Sequence, residues 1–387
     1  MDINTIHLAD NLEYTKTLPD DCADAIITDS PYGLGKEPDA VKCIEDWVTK
    51  GYHEVKGKGF MGKSWDAFVP QPILWKECFR VLKPGGHLLS FFGTRTYDWG
   101  TLAIRLAGFE IRDKIDWFHN NDEICQKFLS SLSEEQKKLF KSIVKTDAGQ
   151  LAWIYGSGFP KSKSTLKPAN EPICVARKPG PLQMLNIDEC RIEMKEGDRK
   201  GEFGDHSPNA CGFKINDNNI FGKGILRLTA DNSCGRWPSN VILDEETAEL
   251  LDEQTGVLNK SIRKQGSIRV KERPQNTHMK TFDALPKESY NDFGGASRFF
   301  YVAKASPSER KGNPHPTVKP VKLITQLVKL YCPIGGIVYD PHMGSGTTCE
   351  ASEMTGRNYI AVDNDPFSYD IAKRRLQNSV HQLELIA

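Results

Sequence analysis

Two short stretches of this chain combine residue types suited to chemistry on a small polar ligand. The first is Thr28-Asp29-Ser30-Pro31-Tyr32-Gly33, which follows the apolar run Ala23-Asp24-Ala25-Ile26-Ile27. The run reads as a short buried strand, so a carboxylate, a proline and an aromatic ring emerge together at its C-terminal end. In open α/β sheets, ligands sit at that edge. Pro31 fixes its own φ and biases Ser30 away from the helical region, which stiffens the turn. Such a turn suits a flat ring with polar edges: Tyr32 stacks on its face, while Asp29 and a backbone carbonyl accept from its edge. Taken alone, the stretch is accounted for at least as well by a capped strand-to-loop turn.

The second stretch is Asp340-Pro341-His342-Met343-Gly344-Ser345-Gly346-Thr347-Thr348, a Gly-rich turn between a strand and a helix. Gly344 and Gly346 permit a tight turn and close ligand approach. Asp363 ends the following strand, about twenty residues on, where a carboxylate accepts both hydroxyls of a ribose. Cys349 stands where a dinucleotide fingerprint has its third glycine, and there is no G-x-x-x-x-G-K-[ST]. NAD and ATP readings both lose ground. A ribose carboxylate without a pyrophosphate cradle fits S-adenosylmethionine, which carries adenosine but no phosphate.

The elements around these stretches alternate. Ile6 to Asp10 reads as a strand ending in a carboxylate, and a Gly-rich polar stretch runs from Gly33 to about Ser64, closed by Trp65-Asp66. Ile73 to Leu82 has helical spacing, stopped by Lys83-Pro84-Gly85-Gly86 with Gly as the cap. A strand (87–92), a helix (Tyr97 to Ala107) and a strand (Phe109 to Trp117) follow, and 127–145 reads as one or two amphipathic surface helices. The pattern resumes with a helix over Val321 to Tyr331, strands at Ile337-Val338-Tyr339 and Tyr359 to Val362, and a last helix over Tyr369 to Gln377. Alternating β and α units predict a mostly parallel sheet covered on both faces.

Residues 180–300 lose that rhythm, being rich in Gly, Asn, Asp and Pro with short apolar fragments such as Val241-Ile242-Leu243. Within them Lys260, Arg263, Lys264, Arg269, Lys271, Arg273 and Lys280 stand against one acid, Glu272. A basic run inside an irregular insertion suits phosphate contact, although such runs are more often a solvated face. Globally the 387 residues carry 51 basic and 51 acidic side chains, so any nucleic-acid surface is local. Ten cysteines occur without a C-x-x-C pair, as expected for reduced thiols in a cytoplasmic protein. No run reaches transmembrane length, so no membrane partner is expected.

Taken in order, these stretches resemble the amino-DNA methyltransferases in which the catalytic motif precedes the cofactor motif. Thr28 to Gly33 is similar to their D-P-P-Y tetrad. Leu82-Lys83-Pro84-Gly85-Gly86 and Gly156 to Ser162 resemble the middle motifs, and Lys167-Pro168-Ala169-Asn170-Glu171-Pro172 a segment just beyond them. Ser297 to Tyr301 and His315-Pro316-Thr317-Val318-Lys319-Pro320 resemble the approach to the cofactor half, and Asp340 to Thr347 the cofactor loop. Ser30 departs from the pattern, occupying the place of the first proline, and costs the turn some rigidity.

The resemblance implies an α/β, Rossmann-like methyltransferase fold with a mixed, mostly parallel sheet and an irregular target-recognition insertion. It divides the chain into 1–179 (with a helical insertion near 125–147), the recognition region 180–300, and 301–387. Asp29, Ser30, Pro31 and Tyr32 become the catalytic set. Asp340, Pro341, Gly344, Ser345, Gly346, Thr347 and Asp363 face S-adenosylmethionine, with His315, Thr317 and Lys319 approaching it and Lys319 and Thr317 helping at the methionine end. Asp10, ending the strand next to the catalytic one, contacts the cofactor adenine or is a plain strand-end residue. The leading Asp29 favours N6 of adenine in double-stranded DNA. N4 of cytosine, an RNA or protein amino group, and a non-catalytic DNA-binding protein stay open. The resemblance also admits a homodimer and a cognate restriction enzyme, in a prokaryotic or phage-infected cytoplasm.

Overall fold

The computed structural model describes residues 1–59, 62, 64–112, 150–154, 170–181, 183–193, 235–236, 238–256, 294–303 and 318–384. The amphipathic segment 127–145, the basic stretch 260–280, Gly156 to Ser162, His315 and Thr317 lie outside the described residues. In chain order the elements are β1 (Thr5–Leu8), α1 (Asn11–Thr17), β2 (Ala23–Asp29), α2 (Ala40–Lys50), α3 (Pro72–Val81), β3 (Leu82–Phe91), α4 (Tyr97–Leu106) and β4 (Glu110–Ile111). They continue as β5 (Gln150–Ile154), β6 (Asn170–Arg177), β7 (Val241–Asp244), α5 (Glu245–Thr255), β8 (Tyr301–Ala303), α6 (Val321–Tyr331), β9 (Ile337–Asp340), α7 (Thr347–Met354), β10 (Asn358–Asp363) and α8 (Pro366–Glu384).

The described strands form one mixed sheet in the order β1-β10-β9-β2-β3-β6-β5-β7-β8, with β4 beside β6. The run from β1 to β3 is parallel throughout. Antiparallel pairing enters with β6, against β3, β4 and β5. Side chains alternate across this sheet. On β10, Ile360 and Val362 join one apolar cluster with Trp47, Leu74, Trp75 and Phe92. Tyr359 and Ala361 join another with Met343, Cys349, Ala372 and Leu376 from the α7 and α8 side. Both faces are thereby covered. Trp47 and Trp75 are almost wholly enclosed, and truncating either to alanine costs about 3–5 kcal/mol.

Several boundaries differ from the sequence expectation, and helix α2 stands inside the 33–64 stretch read as a polar loop. Helix α3 ends at Val81, and its cap is Leu82 in extended conformation rather than a glycine. Pro84 disfavours helical backbone at Lys83, so the chain passes directly into β3. Gly85 (φ +83°) serves another purpose, because a Cβ there would stand 2.0 Å from the Pro181 carbonyl oxygen. The last helix begins at Pro366, three residues before Tyr369, its first turn held by Asp365, which accepts from the Ser368 amide and hydroxyl.

The chain divides into two compact units: 1–190 with 239–247 and 302–387, and 191–238 with 248–301. In the second, Asp252 accepts from the amide and hydroxyl of Ser297, and the guanidinium groups of Arg236 and Arg298 lie over Phe299. Residues 180–190 and strand β7 belong to the first unit.

Candidate active site

Parallel pairing puts the C-terminal ends of β1, β10, β9 and β2 along one edge. Leu8 pairs with Asp363, Ala361 with Asp340, and Ile26 with Tyr339. Each strand therefore delivers an aspartate to the same edge: Asp10 just beyond β1, Asp363, Asp340 and Asp29. A cleft of about 520 Å³ opens there, its wall including Asp10, Asp363, Ser345, Asp29, Tyr32 and Trp65.

The catalytic-type turn is tied down from three directions. Asp66, buried, accepts the Gly33 N–H at 2.9 Å. Gly33 adopts φ +65°, and a Cβ there would stand 2.8 Å from the Val69 amide nitrogen, so glycine is required twice over. Arg95 donates to the carbonyls of Gly33 and Gly35, and the Thr96 hydroxyl donates to that of Tyr32. Ser30 is enclosed, and its hydroxyl meets that of Ser90 on β3 at 2.6 Å. The serine thus gives the turn a side-chain tether that proline lacks.

Asp29 meets Lys319 Nζ through Oδ2 at 2.7 Å, while its buried Oδ1 has no hydrogen-bond partner among the described residues. Burial pushes this carboxyl above the ordinary carboxylate range against the opposing charge of Lys319. Lys319 also lines the cleft, so the residue expected at the methionine end of a cofactor stands on Asp29. The Tyr32 phenol donates to Glu171 Oε2 at 2.8 Å, and the Tyr32 ring is half-buried at the cleft.

The cofactor-type loop also departs from expectation in detail. Asp363 accepts the Gly344 N–H (2.8 Å) through Oδ2 and the Asp365 N–H (2.9 Å) through Oδ1, which fixes the loop to the strand end. Burial raises its pKa, and these N–H groups oppose the rise. Gly344 (φ +52°) is on the cleft wall, but Gly346 is not. Gly346 (φ +79°) caps α7, and a Cβ there would stand 3.0 Å from the Ala372 Cβ, so its glycine serves helix packing rather than ligand approach. The hydroxyls of Ser345 and Thr347 both meet Arg375 from α8, although the two residues line the cleft. Pro341 lines it too. Asp340 accepts the His342 N–H, and burial pushes its pKa up to about 6. Burial holds the His342 imidazole down to about 3. Asp10 caps α1 by accepting the Glu13 N–H, and β1 is an edge strand with β10 and β9 between it and β2, so it is not the catalytic strand's neighbour. Sequence reasoning gave no role to Glu171, Arg95 or Ser90. The segment holding Glu171 was legible, but nothing local says that it reaches Tyr32.

Among the described lining residues Lys319 is the only cationic side chain, and carboxylates occupy it. The side chains offered by the described lining are therefore mainly strand-end carboxylates, acceptors for hydroxyl and amino groups, with no free cationic side chain for a phosphate. They fit an adenosine sulfonium.

The fold and this edge define a Rossmann-like transferase scaffold with a carboxylate-and-aromatic turn beside a ribose-type aspartate. The sequence matches the DNA methylase family (N6_N4_Mtase) over residues 23–374, and the chain belongs to that family. The family's methyl donor is S-adenosylmethionine. The chain is 38% identical over 66 residues to the orphan methyltransferase M.BamHII of Bacillus amyloliquefaciens, covering 17% of this chain and 25% of that protein. It is 33% identical over 69 residues to the type II methyltransferase M2.DpnII of Streptococcus pneumoniae (18% and 26%). These matches span about a quarter of the length of the curated relatives. Among solved structures, TTHA0409 of Thermus thermophilus aligns with a TM-score of 0.43 and 14% identity over 97% of this chain and 95% of that one. The cytosine-N4-specific PvuII DNA methyltransferase aligns with a TM-score of 0.40 and 12% identity (95% and 83%). No helix among the described residues is long and apolar enough to cross a membrane.

Proposed function

We propose that this protein transfers a methyl group from S-adenosylmethionine to the exocyclic N6 amino group of adenine in double-stranded DNA, acting on a base turned out of the helix. The observation that carries the reading is the carboxyl group of Asp29 on the same cleft as Asp363 and Asp10, its Oδ1 buried and without a hydrogen-bond partner among the described residues.

An aromatic amino nitrogen is a poor nucleophile because its lone pair is delocalised into the ring. The Asp29 carboxylate accepts one N–H and the backbone carbonyl near Ser30 the other, which draws the nitrogen toward tetrahedral geometry. The same carboxylate stabilises the positive charge that develops there, and burial strengthens the effect. Tyr32 lies against the extruded base, which is unreachable inside the duplex. When bound, S-adenosylmethionine supplies a methyl group activated by its sulfonium. Asp363 and Asp10 would hold its hydroxyls and adenine amino group, each keeping acceptor capacity beyond its backbone bonds, and the 341–347 loop would face its methionine part. Residues 180–300 serve target recognition in this reading, with a homodimer and a restriction partner as further expectations.

The test is methyl incorporation into DNA, RNA and protein from labelled S-adenosylmethionine, followed by digestion of the DNA to nucleosides. N6-methyladenine is expected. Asp29→Ala should lower the rate at least about a hundredfold. N4-methylcytosine would replace the adenine reading, label in RNA or protein alone would overturn the DNA one, and absence of cofactor binding would end the transferase reading.

A further inference from the structure

Four side chains around the cleft, Asp29, Tyr32, Lys319 and Glu171, form a connected set of contacts, and the reaction as described gives the last two no role. Lys319, 7% exposed, points its ammonium at Asp29 Oδ2 (2.7 Å) and Glu171 Oε2 (3.3 Å). The same Glu171 oxygen accepts the Tyr32 hydroxyl at 2.8 Å. The ammonium also lies 5.3 Å from the Tyr32 ring centre and 5.2 Å from that of Phe91. Behind Tyr32, a Cβ at Gly93 would stand 3.3 Å from its Cδ2, so the segment just after β3 backs the ring closely.

We propose that Lys319 and Glu171 are positioning residues of the methyl-transfer site, a charge clamp that orients the carboxylate of Asp29 and the ring of Tyr32 together; this rests on the methyltransferase reading above. The geometry gives each partner a separate task. Lys319 holds Oδ2 of Asp29, so the carboxylate cannot rotate freely and keeps one orientation toward the amino group. Glu171 fixes the far end of Tyr32 and holds Lys319 in place. An ammonium has three donors and no fixed plane, which lets it serve two carboxylates at once. The charged or titratable groups facing Asp29 are Lys319 from the segment before α6, Glu171 from β6, Tyr32 from its own turn and Asp340 from β9. Two carboxyl groups share one ammonium here, an excess of acidic groups that suits a nitrogen becoming cationic.

The two clamp residues act on Asp29 with opposite charge. Lys319 favours its ionised form and Glu171 disfavours it. Single-turnover methylation by the full chain over a pH range separates them. Glu171→Gln should move the acidic limb of the rate profile to lower pH, and Lys319→Met should move it to higher pH. Both should lower kcat by roughly ten- to a hundredfold with little change in KM for S-adenosylmethionine, because only the reacting geometry is disturbed. Melting curves and cofactor titration by tryptophan fluorescence identify variants that fold. If Lys319→Met does not fold, a double-mutant cycle of Glu171→Gln with Tyr32→Phe carries the test, with strongly non-additive kcat losses expected. A folded Glu171→Gln with the wild-type rate and limb, limbs displaced in the same direction, or an additive cycle would overturn the clamp. Absence of methyl transfer by the wild-type protein would instead remove the reading beneath it.

Discussion

The hydroxyl pair of Ser30 and Ser90 offers a quantitative probe of the catalytic turn. Both residues are essentially enclosed, and their oxygens are 2.6 Å apart. Ser30→Ala leaves the Ser90 hydroxyl buried without its partner, at a cost of about 1–3 kcal/mol. Ser90→Ala does the same to Ser30. The double substitution removes both polar groups and should fall close to wild type, so the cycle should return a coupling equal to the two single costs together, about 2–6 kcal/mol. Native-state amide exchange across Thr28 to Gly33 reads this locally, and about 5- to 150-fold faster exchange is expected in each single variant. The double variant should recover protection yet transfer methyl groups more slowly, since it keeps the packing and loses the tether. A Ser30→Ala variant within about 0.3 kcal/mol of wild type, or an additive cycle, would refute the reasoning. The turn would then depend on Asp66, Arg95, Thr96 and the contacts of Lys319 and Glu171.

Two loop residues that look alike in sequence should separate in function. Asp363→Ala should weaken S-adenosylmethionine binding about 10- to 100-fold, because it removes the ribose acceptor and frees the Gly344 N–H. Gly346→Ala should instead cost about 1–2 kcal/mol of stability from its left-handed backbone, with cofactor affinity unchanged by titration; the reverse pattern would overturn both assignments. Stability against pH should expose Asp340 and His342. Asp340, raised from 3.8 to about 6, makes the folded chain bind more protons than the unfolded one in that window, so its contribution is lost as pH rises through it. His342, lowered from 6.5 to about 3, contributes stability above 6.5 that is lost as pH falls. Between pH 4 and 6 the two slopes of about 1.4 kcal/mol per pH unit oppose each other. Relative to wild type, Asp340→Asn should steepen the rise of stability with pH there, and His342→Gln should reverse it. Denaturant midpoints that move in parallel for all three proteins would contradict this.

Sequence by itself determined the strands and turns that carry the site. An apolar run ending in Asp29-Ser30-Pro31-Tyr32 and another ending in Asp340 before paired glycines are local facts, set by side-chain periodicity and by the backbone limits of Pro and Gly. Helix α6 was legible to its last residue for the same reason, because Leu323, Ile324, Leu327, Val328 and Leu330 repeat at helical spacing along one buried face. Only the tertiary structure decided what these pieces do to one another. Parallel pairing of β2 with β9 brings together turns some three hundred residues apart, and no local pattern encodes which edge they share. Lys319 looked like a cofactor residue because it stands in the approach to the cofactor loop, but the fold delivers its ammonium to Asp29. Gly346 looked like a ligand cradle, but α8 packs where its side chain would be. In each case the residue's type is local and its partner is not, since a charge or a missing Cβ takes its meaning from whatever the folded chain brings within a few ångströms.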